Sequence, residues 1–156
     1  MKPPRAHNFG IYFVSAQTWE RRDLFHSEGL ARLFLEVLCH YRCQSKYLLH
    51  EFVLMPNHFH LTLTPSGITL ERAVQFIKGG FSHRAGKEIS KNLEVWQRGF
   101  TDHRIRDAED YAKHRQYILR NPIEARLCQK AEDYLYCSAA SGFELDPAPQ
   151  GLKPLL

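Results

Sequence analysis

The chain has 156 residues, 44% of them hydrophobic, and a formal charge of +4 with pI near 8.9. That suits one folded unit around a single core and leaves nucleic acid open as a partner. No apolar run approaches the ~18 to 20 residues of a membrane span, and the opening MKPPRAHN lacks the apolar centre of a secretory signal, so a cytoplasmic protein with no membrane partner is expected. Cys39, Cys43, Cys128 and Cys137 include no CxxC pair, which points to packed thiols and away from a thiolate zinc cage or a disulfide framework.

Past a Pro-rich, basic leader that contains Arg5, residues 9 to 15 (FGIYFVS) are β-branched and aromatic and predict a first strand. Arg21 and Arg22, at the centre of the connection TWERRDLF, could meet a polyanion or simply face solvent. From Ser27 to Cys43, Leu30, Leu33, Phe34, Val37, Leu38 and Tyr41 recur at steps of three and four, the period of an amphipathic helix. Residues 46 to 65, KYLLHEFVLMPNHFHLTLTP, then predict two antiparallel strands around a Met55-Pro56-Asn57 turn. Alternation along the second strand sets His58, His60, Thr62 and Thr64 on one face and Phe59, Leu61 and Leu63 on the other, so the apolar set faces a core and the histidines a cleft. Two histidines on one strand are a candidate metal pair; alone, they are more often the pattern of a half-buried strand with a solvated outer face.

Pro65, Ser66 and Gly67 end that strand, and Thr69 caps a second helix whose apolar face is Leu70, Ala73, Val74, Phe76 and Ile77. The continuation KGGFSHRAGKE strains the helical reading, since Gly79 and Gly80 each cost a helix interior roughly 1 kcal/mol relative to alanine. Paired glycines admit close backbone approach. With Lys78, Arg84 and Lys87 around them they outline a surface for phosphates, while a frayed helix end with a solvated basic face fits the same residues. Residues 95 to 106 (VWQRGFTDHRIR), which include Arg98, Arg104 and Arg106, predict a last strand. Asp107 then caps a helix with Ala108, Tyr111, Ala112, Arg115 and Ile118 for packing, and Pro122 is expected to stop it with Asn121 at its exit. IEARLC and EDYLYCSA read as short ordered segments; the chain divides into one unit over 1–145 and a loose Pro-rich tail over 146–156.

Tyr117 and Asn121 are four apart and share one face of the last helix, with His114 three residues earlier on the same side. A cation held by His58, His60 and the Asn121 oxygen would keep open positions for substrate oxygens, which suits Mg²⁺ or Mn²⁺ better than a closed zinc site. It would act as a Lewis acid on a phosphodiester attacked by Tyr117, a phenol whose ordinary pKa of ~10 means that it needs help to deprotonate. Tyr111 is a rival nucleophile, but six residues earlier it faces away from Asn121.

Taken in order, YFVSAQTWERRDLF, MPNHFHLTLTP, WQRGFTDHRIRD and YILRNP resemble the single-tyrosine HUH transposases, and among them the REP-associated tyrosine transposases, over nearly the whole chain to about residue 140. The family's histidine, hydrophobe, histidine motif falls on His58, Phe59 and His60, its nucleophile on Tyr117 and its third, polar metal ligand on Asn121. The resemblance implies an α+β fold, a ferredoxin-like antiparallel sheet with flanking helices. It also implies a metal-dependent endonuclease and strand transferase that cuts single-stranded DNA beside imperfect hairpins through a 5′-phosphotyrosine link. Such a protein would work on nucleoid DNA as a monomer, with a homodimer as the alternative. Contacts to phosphates and unpaired bases would fall to Arg5, Arg21, Arg22, the Lys78 to Lys87 segment, Arg98, Arg104 and Arg106. The competing functions are a domesticated relative that holds hairpins without cutting, and a metallohydrolase that acts with no covalent step.

Overall fold

The structure, a computed structural model, describes residues 10–86, 88–89, 94–140 and 142–148. Strands β1 (Tyr12–Gln17), β2 (Tyr47–Met55), β3 (His58–Pro65) and β4 (Thr101–Arg104) alternate with helices α1 (Glu28–Cys43), α2 (Leu70–Ala85) and α3 (Ala108–Glu124). The strands form an antiparallel sheet in the order β2-β3-β1-β4, so the expected ferredoxin-like α+β architecture is present. β1 begins later than the predicted 9–15. Gly10 sits at φ 138, outside extended backbone for other residues, and pairing starts beyond it at Tyr12↔Leu63.

Period-2 alternation divides the sheet into two unlike faces. Tyr12, Val14 and Ala16 of β1 and Phe59, Leu61 and Leu63 of β3 are buried under α1 and α2, together with Phe25, Phe34, Phe81 and Trp96. Phe34 lies 5.1 Å from Phe59 and 5.9 Å from Phe81 between ring centres, an aromatic centre that clamps both helices to the strands. Ser27 caps α1 and Thr69 caps α2, the latter by accepting from the Arg72 amide at 3.1 Å.

α2 runs unbroken through the glycine pair to Ala85, so the helix does not fray there. A Cβ on Gly80 would stand 2.8 Å from the Tyr41 ring and 3.2 Å from Val37, whereas one on Gly79 would meet nothing within 4 Å. Gly80 is therefore the residue that lets α2 approach α1, and the loss of helix propensity is the cost of that contact.

α3 packs on the opposite face of the sheet. Ile118 meets Val53, Met55, Ala131 and Cys137 in a second apolar cluster, with Phe13 against its flank. The predicted packing stripe is corrected: Asp110, Ile118 and Pro122 are the buried positions of α3, while Ala112 and Arg115 are exposed. Pro122 does not end the helix, which continues to Glu124 and closes with the Ala125 amide donating to the Asn121 carbonyl at 3.1 Å. Proline's fixed φ is compatible with the helix, and burial of its ring on the Ile118 side compensates for the hydrogen bond that its missing N–H denies the preceding turn.

The segment after α3 covers the outer edge of β2. The Leu54 amide donates to the Tyr136 carbonyl (2.8 Å), the Ser138 amide to the Phe52 carbonyl (2.9 Å), and Val53 pairs with Cys137. Asp146, expected at the start of the loose tail, is anchored: its carboxylate accepts from Arg42 Nε at 2.9 Å, from the second Arg42 nitrogen at 3.0 Å and from the Leu49 amide at 2.9 Å. The rest of that tail from 149 lies outside the described residues, as do Arg5 and Lys87. Among the described residues no helix is long and apolar enough to cross a membrane.

Candidate active site

β3 delivers both histidines to the α3 side of the sheet. His58 Nδ1–H donates to Asn57 Oδ1 at 2.6 Å, which leaves its other nitrogen to the cleft that His58 lines, and the Asn121 side chain approaches His58 from α3 and works to raise its pKa. His60 is buried, stacked under Phe13 (5.3 Å between ring centres, 15° between planes) and joined through Nδ1 to Ser15 Oγ at 2.5 Å. Burial, and then the neighbouring His58, push the His60 pKa down to about 3, and burial lowers His58 as well. His60 is thus a neutral imidazole across the physiological range. Its Nε2 is buried with no hydrogen-bond partner among the described residues, the condition of a lone pair or N–H awaiting something else. An orphaned imidazole nitrogen, a neighbouring histidine 4.9 Å away between ring centres and a carboxamide on that histidine make a donor set that fits a divalent cation.

Tyr117 stands beside this pair. Its ring meets His60 edge-on at 5.1 Å and Phe13 at 5.8 Å, and it is 49% exposed, so a phosphodiester can reach it. The four sequence-predicted centres, His58, His60, Tyr117 and Asn121, are brought together from β3 and α3. Tyr111 is not among them: it lies against His50 (6.3 Å), and burial and then Glu51 push its pKa up to about 12.

Sequence reasoning missed the groups that hold these in place. Phe13 and Ser15 share the cleft face of β1 by the alternation that governs β3, so pairing Ser15 with His60 and Phe13 with Thr62 was the signal that could have found them. At the start of α3, Asp107 caps the helix by accepting from the Asp110 amide (2.8 Å), and the buried Asp110 gathers His103 Nε2 (2.7 Å), the Arg106 amide (2.9 Å) and His114 Nδ1 (3.1 Å). Burial works to raise the Asp110 pKa, but the Arg106 amide, His103 and His114 outweigh it and the net shift is downward. The three side chains His103, Asp110 and His114 converge closely enough to hold a metal ion and, through their hydrogen bonds alone, tie β4 to the helix that carries Tyr117. The spacing Asp110, His114, Tyr117 along one helix flank was its sequence signal.

The predicted DNA-contact residues separate sharply. Arg21 and Arg98 line the cleft of about 630 Å³ that also contains Gln17, His58, His60 and Tyr117. Arg21 is presented from left-handed backbone (φ 53) and its Nε donates to Gln17 Oε1 at 3.1 Å. Arg22 and Lys78 are committed elsewhere: Arg22 donates to the carbonyls of Trp19 and Glu94, and Lys78 Nζ to those of Gln97 (3.0 Å) and Gly99 (2.8 Å). Lys78 thereby fixes the lip of the cleft that carries Arg98. Gly79 and Arg84 lie exposed on α2 and Gly80 in the helix contact, all on the sheet face away from Tyr117. Arg104 ends β4 and Arg106 is exposed beside Asp110.

A ferredoxin-like sheet with a histidine pair set against a tyrosine-bearing helix is the arrangement of the single-tyrosine transposases. The model of the IS200-like transposase family matches residues 10–121, and the chain belongs to that family. It is 30% identical over 143 residues to a protein of Haemophilus influenzae named as a REP-associated tyrosine transposase, spanning 83% of this chain and 79% of that one. To the REP-associated tyrosine transposase of Escherichia coli K12 it is 29% identical over 109 residues, 69% of this chain and 60% of the relative. In fold it is similar to a solved REP-associated tyrosine transposase bound to a REP hairpin, with a TM-score of 0.68 and 22% identity over 100% of this chain and 99% of the other. Membership of a transposase family makes the chain a DNA-cleaving enzyme of the REP-associated kind.

Proposed function

We propose that this transposase cleaves and rejoins single-stranded DNA beside REP-like hairpins, with Tyr117 as the nucleophile. The observation that carries the reading is the contact of Tyr117 and Asn121 with His60 and His58 across the α3–β3 boundary. Tyr117 Oη, on losing its proton, attacks the scissile phosphorus; the bond to the 3′ oxygen breaks, that oxygen takes up a proton, and the strand beyond is left joined to the tyrosine through its 5′ phosphate. In the return step a 3′ hydroxyl attacks the phosphotyrosine and releases the phenol, so strand transfer conserves the phosphodiester energy and needs no ATP.

His58, His60 and Asn121 would hold Mg²⁺ or Mn²⁺, which when bound supplies Lewis-acid neutralisation of the phosphate charge. The chain's own groups prepare the site. Asn57 fixes the His58 tautomer, Ser15 and Phe13 lock the His60 ring, and burial shifts both histidines toward the neutral form. Arg21 and Arg98 bring positive charge to the cleft rim where the phosphate backbone enters. Since α3 packs on the sheet of its own chain, a monomer suffices for the site, and such a protein acts on the DNA of the nucleoid.

The test is incubation of the protein and Mn²⁺ with single-stranded hairpin oligonucleotides, followed by denaturing electrophoresis. A protein–DNA adduct is expected with the natural chain and none with Tyr117→Phe. An adduct that persists in Tyr117→Phe refutes the nucleophile, and specific hairpin binding with no cleavage under any metal would make the chain a binding module.

A further inference from the structure

A second groove lies on the other side of Tyr117. It has a volume of about 330 Å³ and runs along the exposed flank of α3 between Phe13, Lys113, Gln116, Tyr117 and Arg120, with His114 in its wall and Glu124 at its far end. Tyr117 lines both this groove and the histidine cleft, so the phenol stands where the two adjoin. Gln116, Tyr117 and Arg120 lie three, four and seven residues beyond Lys113, so the four share a single stripe of the helix. Lys113 and Arg120 are exposed and, among the described residues, enter no ion pair, unlike Arg115, whose Nε is held by Glu51 at 2.9 Å.

We infer that this groove binds the first nucleotides 3′ of the cleaved bond, the strand that stays attached to the enzyme, with Lys113 and Arg120 on its phosphates and Phe13 beneath its first base or sugar. The inference rests on the reading of Tyr117 as nucleophile, because that reading fixes the direction of the strand. In an in-line displacement the entering and leaving oxygens lie on opposite sides of phosphorus. The departing 3′ end therefore moves away from the helix that bears the phenol, and the nucleotide kept on phosphorus is the one that the flank of α3 can hold. The distance along the helix from Lys113 to Arg120 is roughly 10 Å, room for about two or three nucleotides at ~3.4 Å each. Glu124 then ends the cationic run. Retention of this strand has a purpose in the proposed chemistry: a phosphotyrosine whose DNA is held in register waits for the 3′ hydroxyl of strand transfer.

The probes are 5′-phosphorylated oligothymidylates of one to four nucleotides, mimics of the attached strand, titrated with Mn²⁺ present into the full chain. Affinity is expected to climb up to about three nucleotides for the natural protein and to stay flat for the double variant Lys113→Gln/Arg120→Gln. The plot of log K against log salt for the four-nucleotide probe should be shallower in that variant by about 1.4, two phosphate contacts at ~0.7 each for a single strand. Arg72→Gln, which removes one charge on the far face of the molecule, should keep the natural slope. An unchanged length dependence in the double variant overturns the inference, as does an equal loss of slope in Arg72→Gln, which would reduce the effect to net charge. Adduct formation reports on Tyr117 and the length series on the groove, so each can fail while the other stands.

Discussion

Gly79 and Gly80 are adjacent in sequence, share a helix, and have opposite surroundings. Gly80 faces the Tyr41 ring at 2.8 Å from where a Cβ would sit, and Gly79 faces open space. Gly80→Ala should therefore destabilise the protein by about 1 to 3 kcal/mol through overpacking of α1 against α2, while Gly79→Ala should stabilise it by about 0.5 to 1 kcal/mol through helix propensity. Urea unfolding of the two variants checks this, and equal effects would mean that the helix contact is not what Gly80 serves. Ser15 permits a second test at the same scale. Its hydroxyl is the partner of His60 Nδ1 at 2.5 Å, so in Ser15→Ala the ring loses its orienting bond and Mn²⁺ affinity should fall about 10- to 100-fold. Calorimetric titration with Mn²⁺ reads it directly; an unchanged affinity would remove His60 from the proposed ligand set.

The helix that bears Tyr117 depends on its first turn, where one buried carboxylate joins β4, the β4–α3 connection and α3. Asp110→Asn removes the charge that His103 and the Arg106 amide meet, and should cost about 1 to 3 kcal/mol at pH 7. The folded pKa of Asp110 is below its unfolded value, so its contribution is present above pH ~4 and disappears as the pH falls through the depressed folded value. Unfolding free energies of wild type and Asp110→Asn should accordingly differ at pH 7 and 5 and converge in strong acid; a constant difference would assign the loss to packing. Elements of this kind show what the letters carry. Period-2 alternation gave the two faces of β3, and the side-chain oxygens of Thr69 and Asp107 gave two helix starts, because those signals are local. Pro122 misled because its effect on a helix depends on whether the ring is buried by a neighbour, here beside Ile118. For Arg22 and Lys78 the structure adds what a sequence cannot show, a cation's partner within the fold: both donate to carbonyls distant in the chain, at Glu94 and at Gln97 and Gly99. Arg21 and Arg98, with the same charge, line the cleft.

At the scale of the whole molecule, the candidate site is assembled on one face of the sheet, from β3 and α3 of the same chain. α1 and α2 occupy the apolar side of the sheet and leave the histidine side for α3, whose Ile118 is fully buried against Val53 and Met55 of β2. The segment beyond α3 then returns along β2, through Tyr136 and Ser138, and Asp146 fastens it to Arg42 of α1. Exchange of α3 with a second copy would have to pull Ile118 from its cluster and carry with it, or strip away, the cover on the edge of β2. Burial of an isoleucine and the edge hydrogen bonds together oppose that by several kcal/mol, on the order of ~1.5 to 3 for the side chain alone. This geometry predicts the outcome of mixing two damaged proteins. His58→Ala/His60→Ala keeps the tyrosine and lacks the histidine pair; Tyr117→Phe has the reverse defect. If every chain uses its own α3, an equimolar mixture refolded or incubated together forms no DNA adduct, because no combination of intact halves arises. Adduct formed by the mixture, and carried on the double-alanine chain, would show that tyrosine helices pass between copies and that the packing of Ile118 in cis is one of two states of the protein.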